Sequence, residues 1–162
     1  MFEATKYGNK TYDGCVDVLT NNPPFDIQLD LLSNYENLKN QTREGTFSKN
    51  KPYSLGLSSY GLPGDPSSSS RFARTVFYKR YSVWEKGEEV SQMFHLLNTV
   101  SVPKGAVMNE ECKCHYTLYQ SCIDTSECRY YFRTYGALNT SYVRMDQFNA
   151  DDDKIDTVDI YT

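Results

Sequence analysis

Three features are scarce in this sequence, and each narrows the range of functions. No apolar run reaches the ~18 residues that a membrane-spanning helix needs, so no membrane partner is expected. Basic residues number 17 against 21 acidic ones, a net charge of -4, which argues against a nucleic-acid partner because such proteins present a basic surface. The two histidines, His95 and His115, have no carboxylate evidently placed to orient them, which disfavours a catalytic triad. His95 lies within an apolar helical stripe and is expected to be buried in the core.

The length of 162 residues suits one domain, residues 1–162, that can bury a real core. Tyrosine and phenylalanine are abundant, at 14 and 8 residues, which is typical of half-exposed sheet faces. No apolar segment of a signal peptide follows Met1. The expected location is therefore cytoplasmic.

The five cysteines are an odd number in a chain without an export signal, so free thiols are expected rather than a disulfide framework. Together with His115, four of them raise the alternative of a tetrahedral zinc site. The C-x-x-C spacing is absent, however, and Cys122 and Cys128 fall within predicted strands. The acidic run at residues 151–153 lacks the ligand spacing of a calcium loop, so no metal or other cofactor is expected. Cys15 stands alone, and the clustered cysteines are Cys112, Cys114, Cys122 and Cys128.

The first half of the sequence predicts a strand followed by two helices. A turn and strand over residues 11–20 must end at the two following prolines, which suit the first turn of a helix. Residues 39–70 form a long polar connection, a kind of segment that is often functional. The serines at 67–70 supply N-caps for a helix over residues 71–84. The helix that follows the prolines has an apolar face formed by Phe25, Leu29, Leu32, Tyr35 and Leu38.

The second half predicts one more helix and then an antiparallel meander. Apolar spacing indicates a helix over residues 90–100, after which β-type segments at 116–123 and 129–135 form a hairpin. A third strand is expected at 141–145, and the alternating segment 155–160 is predicted to pair as an edge strand. Helices followed by an antiparallel sheet indicate an α+β fold.

Asn21 and Arg71 are the strongest candidates for site residues. Asn21 follows the predicted strand at a rigid corner before two prolines, where its amide can donate a hydrogen bond to a developing oxyanion. Arg71 opens a predicted helix, where its positive charge is unfavourable against the helix dipole unless an anionic partner compensates it. The alternatives are a turn or cap role for Asn21 and a solvated side chain for Arg71.

Motifs spread along nearly the whole chain resemble those of the choloylglycine hydrolase family, which includes bile salt hydrolases and penicillin V acylases. Their order and spacing agree with the family throughout, which makes the resemblance far more specific than any single motif. The motifs are LTNNPPFD at 19–26, Gly56, GLPGD at 61–65, SRFAR at 70–74, MFHLLN at 93–98, YQSC at 119–122 and YYFRTY at 130–135.

The resemblance implies the C-terminal part of an αββα N-terminal-nucleophile hydrolase sandwich. In that family a cysteine at the mature N-terminus attacks an amide carbonyl with its own α-amine as base, and water releases the acyl group. The residue at the position of Asn21 then helps to stabilise the tetrahedral intermediate, and the one at the position of Arg71 belongs to the network around the cysteine. Because this sequence opens with Met1 and Phe2, we expect the nucleophile to be absent from it.

Two hypotheses of different class follow. The chain is either a fragment of an amidase that acts on conjugated bile salts or penicillin V, completed by its N-terminal half, or a non-enzymatic remnant with binding or structural roles. A partial sandwich would leave sheet edges uncovered, so another chain or further copies of this one are expected as partners. The resemblance also implies that the connection at residues 34–55 reaches into neighbouring subunits.

Overall fold

The computed structural model describes residues 2–5, 8–11, 16–42, 55–149, 151, 153 and 155–161. The chain divides into two compact units, Met1–Ser82 and Val83–Thr162. Each unit is described by itself.

The first unit contains a short hairpin and two helices. Strands β1 (Phe2–Thr5) and β2 (Gly8–Thr11) pair antiparallel. Helix α1 (Phe25–Leu32) begins directly after Pro24, which has extended backbone angles and suits this position because its missing N–H is not needed there. Helix α2 (Ser68–Tyr81) is capped by Ser67, whose hydroxyl accepts a hydrogen bond from the Ser70 amide.

The core of the first unit joins the two helices and the segment before α1. Phe25 and Phe72 are almost wholly buried, and their rings meet edge to face with centroids 6.0 Å apart. Val18 completes the buried cluster. Apolar residues from both helices and the preceding segment pack around it, namely Val16, Leu29, Leu32 and Val76.

The second unit is a helix followed by antiparallel strands. Helix α3 (Glu89–Asn98) is followed by the short pair β3 (Val107–Met108) and β4 (Cys114–His115). The main sheet has the order β5 (Tyr119–Asp124), β6 (Arg129–Thr134) and β7 (Ala137–Arg144). Every pairing in this sheet is antiparallel. Its buried residues include Phe132 and Thr134 on β6, the central strand.

Most of the predicted elements are confirmed. The structure has the three helices, the hairpin of β5 and β6, and the third strand of the meander, although α2 begins three residues before the predicted start and β7 is longer than expected. The α+β prediction is therefore correct. The paired strands β1–β2 and β3–β4 were not predicted.

Several predictions fail in the described residues. Residues 16–20 are not a strand, because this segment is held by side chains of the helices instead of by a sheet ladder. Helix α1 ends at Leu32 and continues as a 3₁₀ turn, so its apolar stripe is shorter than predicted. Residues 155–161 form no strand. His95 is exposed, because α3 buries Phe94 and Leu96 on the face away from it. The predicted strand residues 12–15 and the middle of the long connection, residues 43–54, lie outside the described residues.

No helix in the described ranges is long and apolar enough to cross a membrane.

Candidate active site

Asn21 lies in an exposed turn immediately before α1. Side chains from both helices hold the chain on either side of it. Before the turn, the Lys79 ammonium of α2 donates to the Val16 carbonyl at 3.2 Å and pairs with the Asp17 carboxylate at 2.9 Å. After the turn, Pro24 leads directly into the helix. Asn21 therefore precedes a helix, as predicted, but the predicted strand before it is absent.

A buried glutamine holds the turn itself. The Gln28 side chain is fully buried on α1, and its Nε2 donates to the Pro23 carbonyl at 2.7 Å. Its Oε1 accepts a hydrogen bond of 2.6 Å from the Thr20 hydroxyl. The amide therefore connects the two ends of the turn that carries Asn21.

Arg71 lies in the first turn of α2 with its side chain half-buried. Its Nε is buried and has no hydrogen-bond partner within the described part of the chain. The Ser68 hydroxyl is in the same condition, and residues three apart lie on the same face of a helix. A buried unpaired donor costs about 1–3 kcal/mol, so native structures almost always satisfy such groups. Ser68 and Arg71 therefore place two unpaired polar atoms of the described residues on one face of α2.

The start of α2 is fixed by a carboxylate and an arginine. Asp65 accepts hydrogen bonds from the Ser67 amide at 2.9 Å and from the Ser70 hydroxyl. Arg74 donates from one guanidinium nitrogen to the carbonyls of Pro63 and Asp65, each at 2.8 Å. The loop of residues 61–65 is therefore tied to the helix that carries Arg71. The hydrogen bonds from Ser67 and Ser70 lower the Asp65 pKa from its ordinary 3.8 to about 2.

Replacing the Asp65 carboxylate should make the free energy of unfolding of the first unit depend less on pH between about 2 and 4. Because the Asp65 pKa is lower in the folded chain, its ionised form stabilises the fold above about pH 4, and this contribution is lost as the pH falls towards 2. Asp65→Asn should therefore unfold at lower urea concentration than the wild type at pH 7, by a margin that shrinks at pH 3. Urea unfolding at pH 7, 4 and 3 measures this, and a constant margin at all three values would contradict the assignment.

The core brings the two candidate site residues into one structure. Phe25 follows Asn21 by four residues, Phe72 follows Arg71 directly, and these two rings are in contact. The turn with Asn21 and the first turn of α2 are therefore attached to the same buried cluster. The contact joins the two segments that carry the candidate residues.

The clustered cysteines do not form a centre in the described residues. Cys112, Cys114, Cys122 and Cys128 are free thiols, as predicted. Burial raises the pKa of the Cys122 thiol, with a further rise from the nearby Asp124 carboxylate, and a thiol with a raised pKa is a poor nucleophile at neutral pH. Cys122 lies in β5 as expected, but Cys128 lies in the turn after it and not in a strand. No group of three or more possible metal ligands occurs in the described ranges.

Each unit has a cavity of its own. In the first unit, a cavity of about 360 Å³ lies between the end of α1 and α2, and its lining includes Leu32, Tyr35 and Phe77. In the second unit, a cavity of about 750 Å³ is lined by β5, β6 and the segment after α3. Its walls carry polar groups, among them Gln120 and Arg133.

Sequence reasoning missed the residues that hold the site residues in place. Gln28 lies three positions after the buried Phe25, so a polar residue on the buried face of the helix was the available signal. Asp65 and Arg74 belong to the motifs quoted above, but neither was given a role. The serines at 67–70 indicated the start of the helix, but not that Asp65 bonds to Ser67 and Ser70 there.

Almost the entire chain matches known proteins. The family model described as linear amide C-N hydrolases, choloylglycine hydrolase family, matches residues 1–161. A bile salt hydrolase/transferase of Lactiplantibacillus plantarum is 42% identical over 156 residues, which are 93% of this chain and 48% of that protein. A bile salt hydrolase/transferase of Clostridium perfringens is 31% identical over 97% of this chain and 49% of its own length. The chain thus spans about half the length of the curated relatives it matches.

Solved structures agree with this result. A cysteine-to-alanine variant of the conjugated bile acid hydrolase from Clostridium perfringens matches with a TM-score of 0.83 and 28% identity, covering 98% of this chain and 50% of that one. Penicillin V acylase from Agrobacterium tumefaciens matches with a TM-score of 0.58 over 80% of this chain and 36% of that one, at 23% identity. The latter shows the fold alone. The predicted fold class, an α+β part of the αββα N-terminal-nucleophile hydrolase sandwich, is confirmed.

Proposed function

Because this chain belongs to the choloylglycine hydrolase family of linear amide C-N hydrolases, we propose that it forms the C-terminal part of an amidase that hydrolyses conjugated bile salts. The observation that carries the proposal is the 42% identity, over 93% of the chain, to a protein named as a bile salt hydrolase/transferase. The contact between Phe25 and Phe72, which joins the segments that carry Asn21 and Arg71, supports it.

In this proposal the chain supplies the groups that stabilise the reacting atoms. A cysteine thiolate from the remainder of the fold attacks the amide carbonyl, whose oxygen becomes negatively charged as the tetrahedral intermediate forms. The Asn21 side-chain amide donates a hydrogen bond to that oxygen. The Arg71 guanidinium supplies fixed positive charge to the network around the cysteine and obtains there a partner for its buried Nε.

The main sheet of the second unit has two open edges that a further polypeptide segment could cover. In the described part of the sheet, β5 and β7 each pair on one side only, and open edges favour association with another strand. Ile123 and Leu138 on these strands are 55% and 82% exposed. We propose that another segment or chain covers them, either a complementary half or further copies. The proposed location of the assembly is cytoplasmic, which cell fractionation would test.

A complementation assay tests the proposed function. Residues 1–162 are produced alone and together with the portion of the Lactiplantibacillus plantarum enzyme that they do not match, with that complete enzyme as the positive control. Released glycine or taurine is measured with conjugated bile salts, and cleavage of penicillin V is measured in parallel. We expect the two parts to copurify and to hydrolyse conjugated bile salts only when combined.

Each other outcome has a definite meaning. Activity of residues 1–162 alone would show that the nucleophile is not where the proposal places it. A copurifying but inactive pair would reject the amidase assignment in favour of a binding or structural role. Faster turnover of penicillin V than of bile salts would keep the reaction class and replace the substrate.

A further inference from the structure

Gln28 is a fully buried polar side chain within an otherwise apolar core. Its relative exposure is 0%, the same as that of Phe25 on the same helix. Burying an amide without hydrogen bonds is costly, and a leucine or methionine of similar volume would fill the same space without that cost. The presence of an amide at this buried position is therefore explained by the groups to which it donates and from which it accepts hydrogen bonds.

All the hydrogen bonds of this amide go to one short turn. Nε2 donates to the Pro23 carbonyl at 2.7 Å and, at a longer 3.5 Å, to the Thr20 carbonyl. Oε1 accepts from the Thr20 hydroxyl at 2.6 Å. The residues between these contacts are Asn21 and Asn22, both exposed. One side chain thus bonds to both ends of the turn, Thr20 and Pro23, and the two residues between them are the asparagines.

We propose that Gln28 is a positioning residue for the amidase reaction, because it fixes the turn that presents the Asn21 amide to the oxyanion. This inference rests on the proposed function. An oxyanion donor stabilises the transition state only when it is held at hydrogen-bond distance from the place where the charge develops. Misplacement by about 1 Å can cost on the order of 100-fold in rate, so the hydrogen bonds of Gln28 act on kcat through Asn21.

The test uses the two-part enzyme of the complementation assay, residues 1–162 combined with the unmatched portion of the Lactiplantibacillus plantarum enzyme, with the variants Gln28→Met, Asn21→Ala and the double variant. Gln28→Met keeps the side-chain volume but removes every hydrogen bond to the turn, and we expect kcat to fall about 10- to 100-fold with KM little changed. In the Asn21→Ala background the same substitution should lower kcat less than about 3-fold, because the residue it positions is already gone. Leu29→Ala, which destabilises the same core from the next position on α1, is the matched control and should retain kcat per folded molecule.

A second measurement does not depend on activity. Hydrogen exchange of the peptide covering residues 18–24, at short labelling times, should be faster in Gln28→Met than in the wild type and in Leu29→Ala. Unchanged exchange in Gln28→Met, or rate losses that multiply in the double variant, would overturn the positioning role. A wild-type enzyme without amidase activity would instead reject the proposed function, while the exchange result would still decide whether Gln28 holds the turn.

Discussion

Replacing Arg71 by alanine in the two-part enzyme proposed above should lower kcat/KM for bile salt hydrolysis by about 10³-fold or more. The side chain carries a permanent charge, sits half-buried in the first turn of α2, and has a buried Nε without a partner among the described residues. A charged hydrogen bond in a water-excluded site stabilises more than a neutral one. A loss of 10³-fold corresponds to about 4 kcal/mol of transition-state stabilisation. Steady-state assays of bile salt hydrolysis give the value.

Two further variants separate charge from geometry. Arg71→Lys keeps the charge but loses the planar fork of donors, so only a small part of the activity should return. Arg80→Ala removes an exposed arginine from the last turn of the same helix and should leave kcat within a few-fold of the wild type. Full activity in folded Arg71→Ala would remove this residue from the site. Unfolding by urea should be compared in all three variants, so that a loss of folded enzyme is not counted as a loss of chemistry.

Asn21→Ala should lower kcat by about 10²- to 10³-fold, with a smaller effect on KM. Removal of one oxyanion donor costs this much because the lost hydrogen bond is strongest in the transition state. Asn21 is exposed at a turn that is held on both sides, so truncating it should leave the free energy of unfolding almost unchanged. The kcat of the purified variant and its urea midpoint together measure both expectations.

The neighbouring asparagine is the matched control for this prediction. Asn22 is also exposed and belongs to the same turn, but the family resemblance gives it no role in the reaction. Asn22→Ala should retain kcat within a few-fold. If Asn22→Ala were the damaging substitution and Asn21→Ala the harmless one, the oxyanion donor would have been assigned to the wrong residue.

The two candidate site residues were predictable from the sequence, but their supports were not. Asn21 and Arg71 belong to motifs that are continuous in the sequence, LTNNPPFD and SRFAR, and can therefore be recognised without a structure. Gln28 and Asp65 act through hydrogen bonds to backbone atoms, and nothing in a linear sequence shows which carbonyl or amide a side chain will reach. The same reason explains the failed strand at residues 16–20, where apolar content was correctly recognised but the partner was a helix side chain, Lys79.

His95 shows a related limit. The apolar stripe of α3 was recognised, and Phe94 and Leu96 are buried as such a stripe requires. A residue between two buried positions on a helix nevertheless lies on another face, and only the packing of the helix decides where the buried face ends. The prediction of a core histidine failed for that reason.

The sequence alone determined the family, the α+β class, the three helices and the order of the main sheet, because periodicity, caps and motifs are properties of neighbouring residues. Tertiary structure decided how the segments around the candidate site residues are held. The contact of Phe25 with Phe72 joins two segments far apart in the chain, and Gln28, Lys79 and Asp65 then fix the backbone around Asn21 and Arg71. Such contacts depend on distances in space, which sequence separation does not encode.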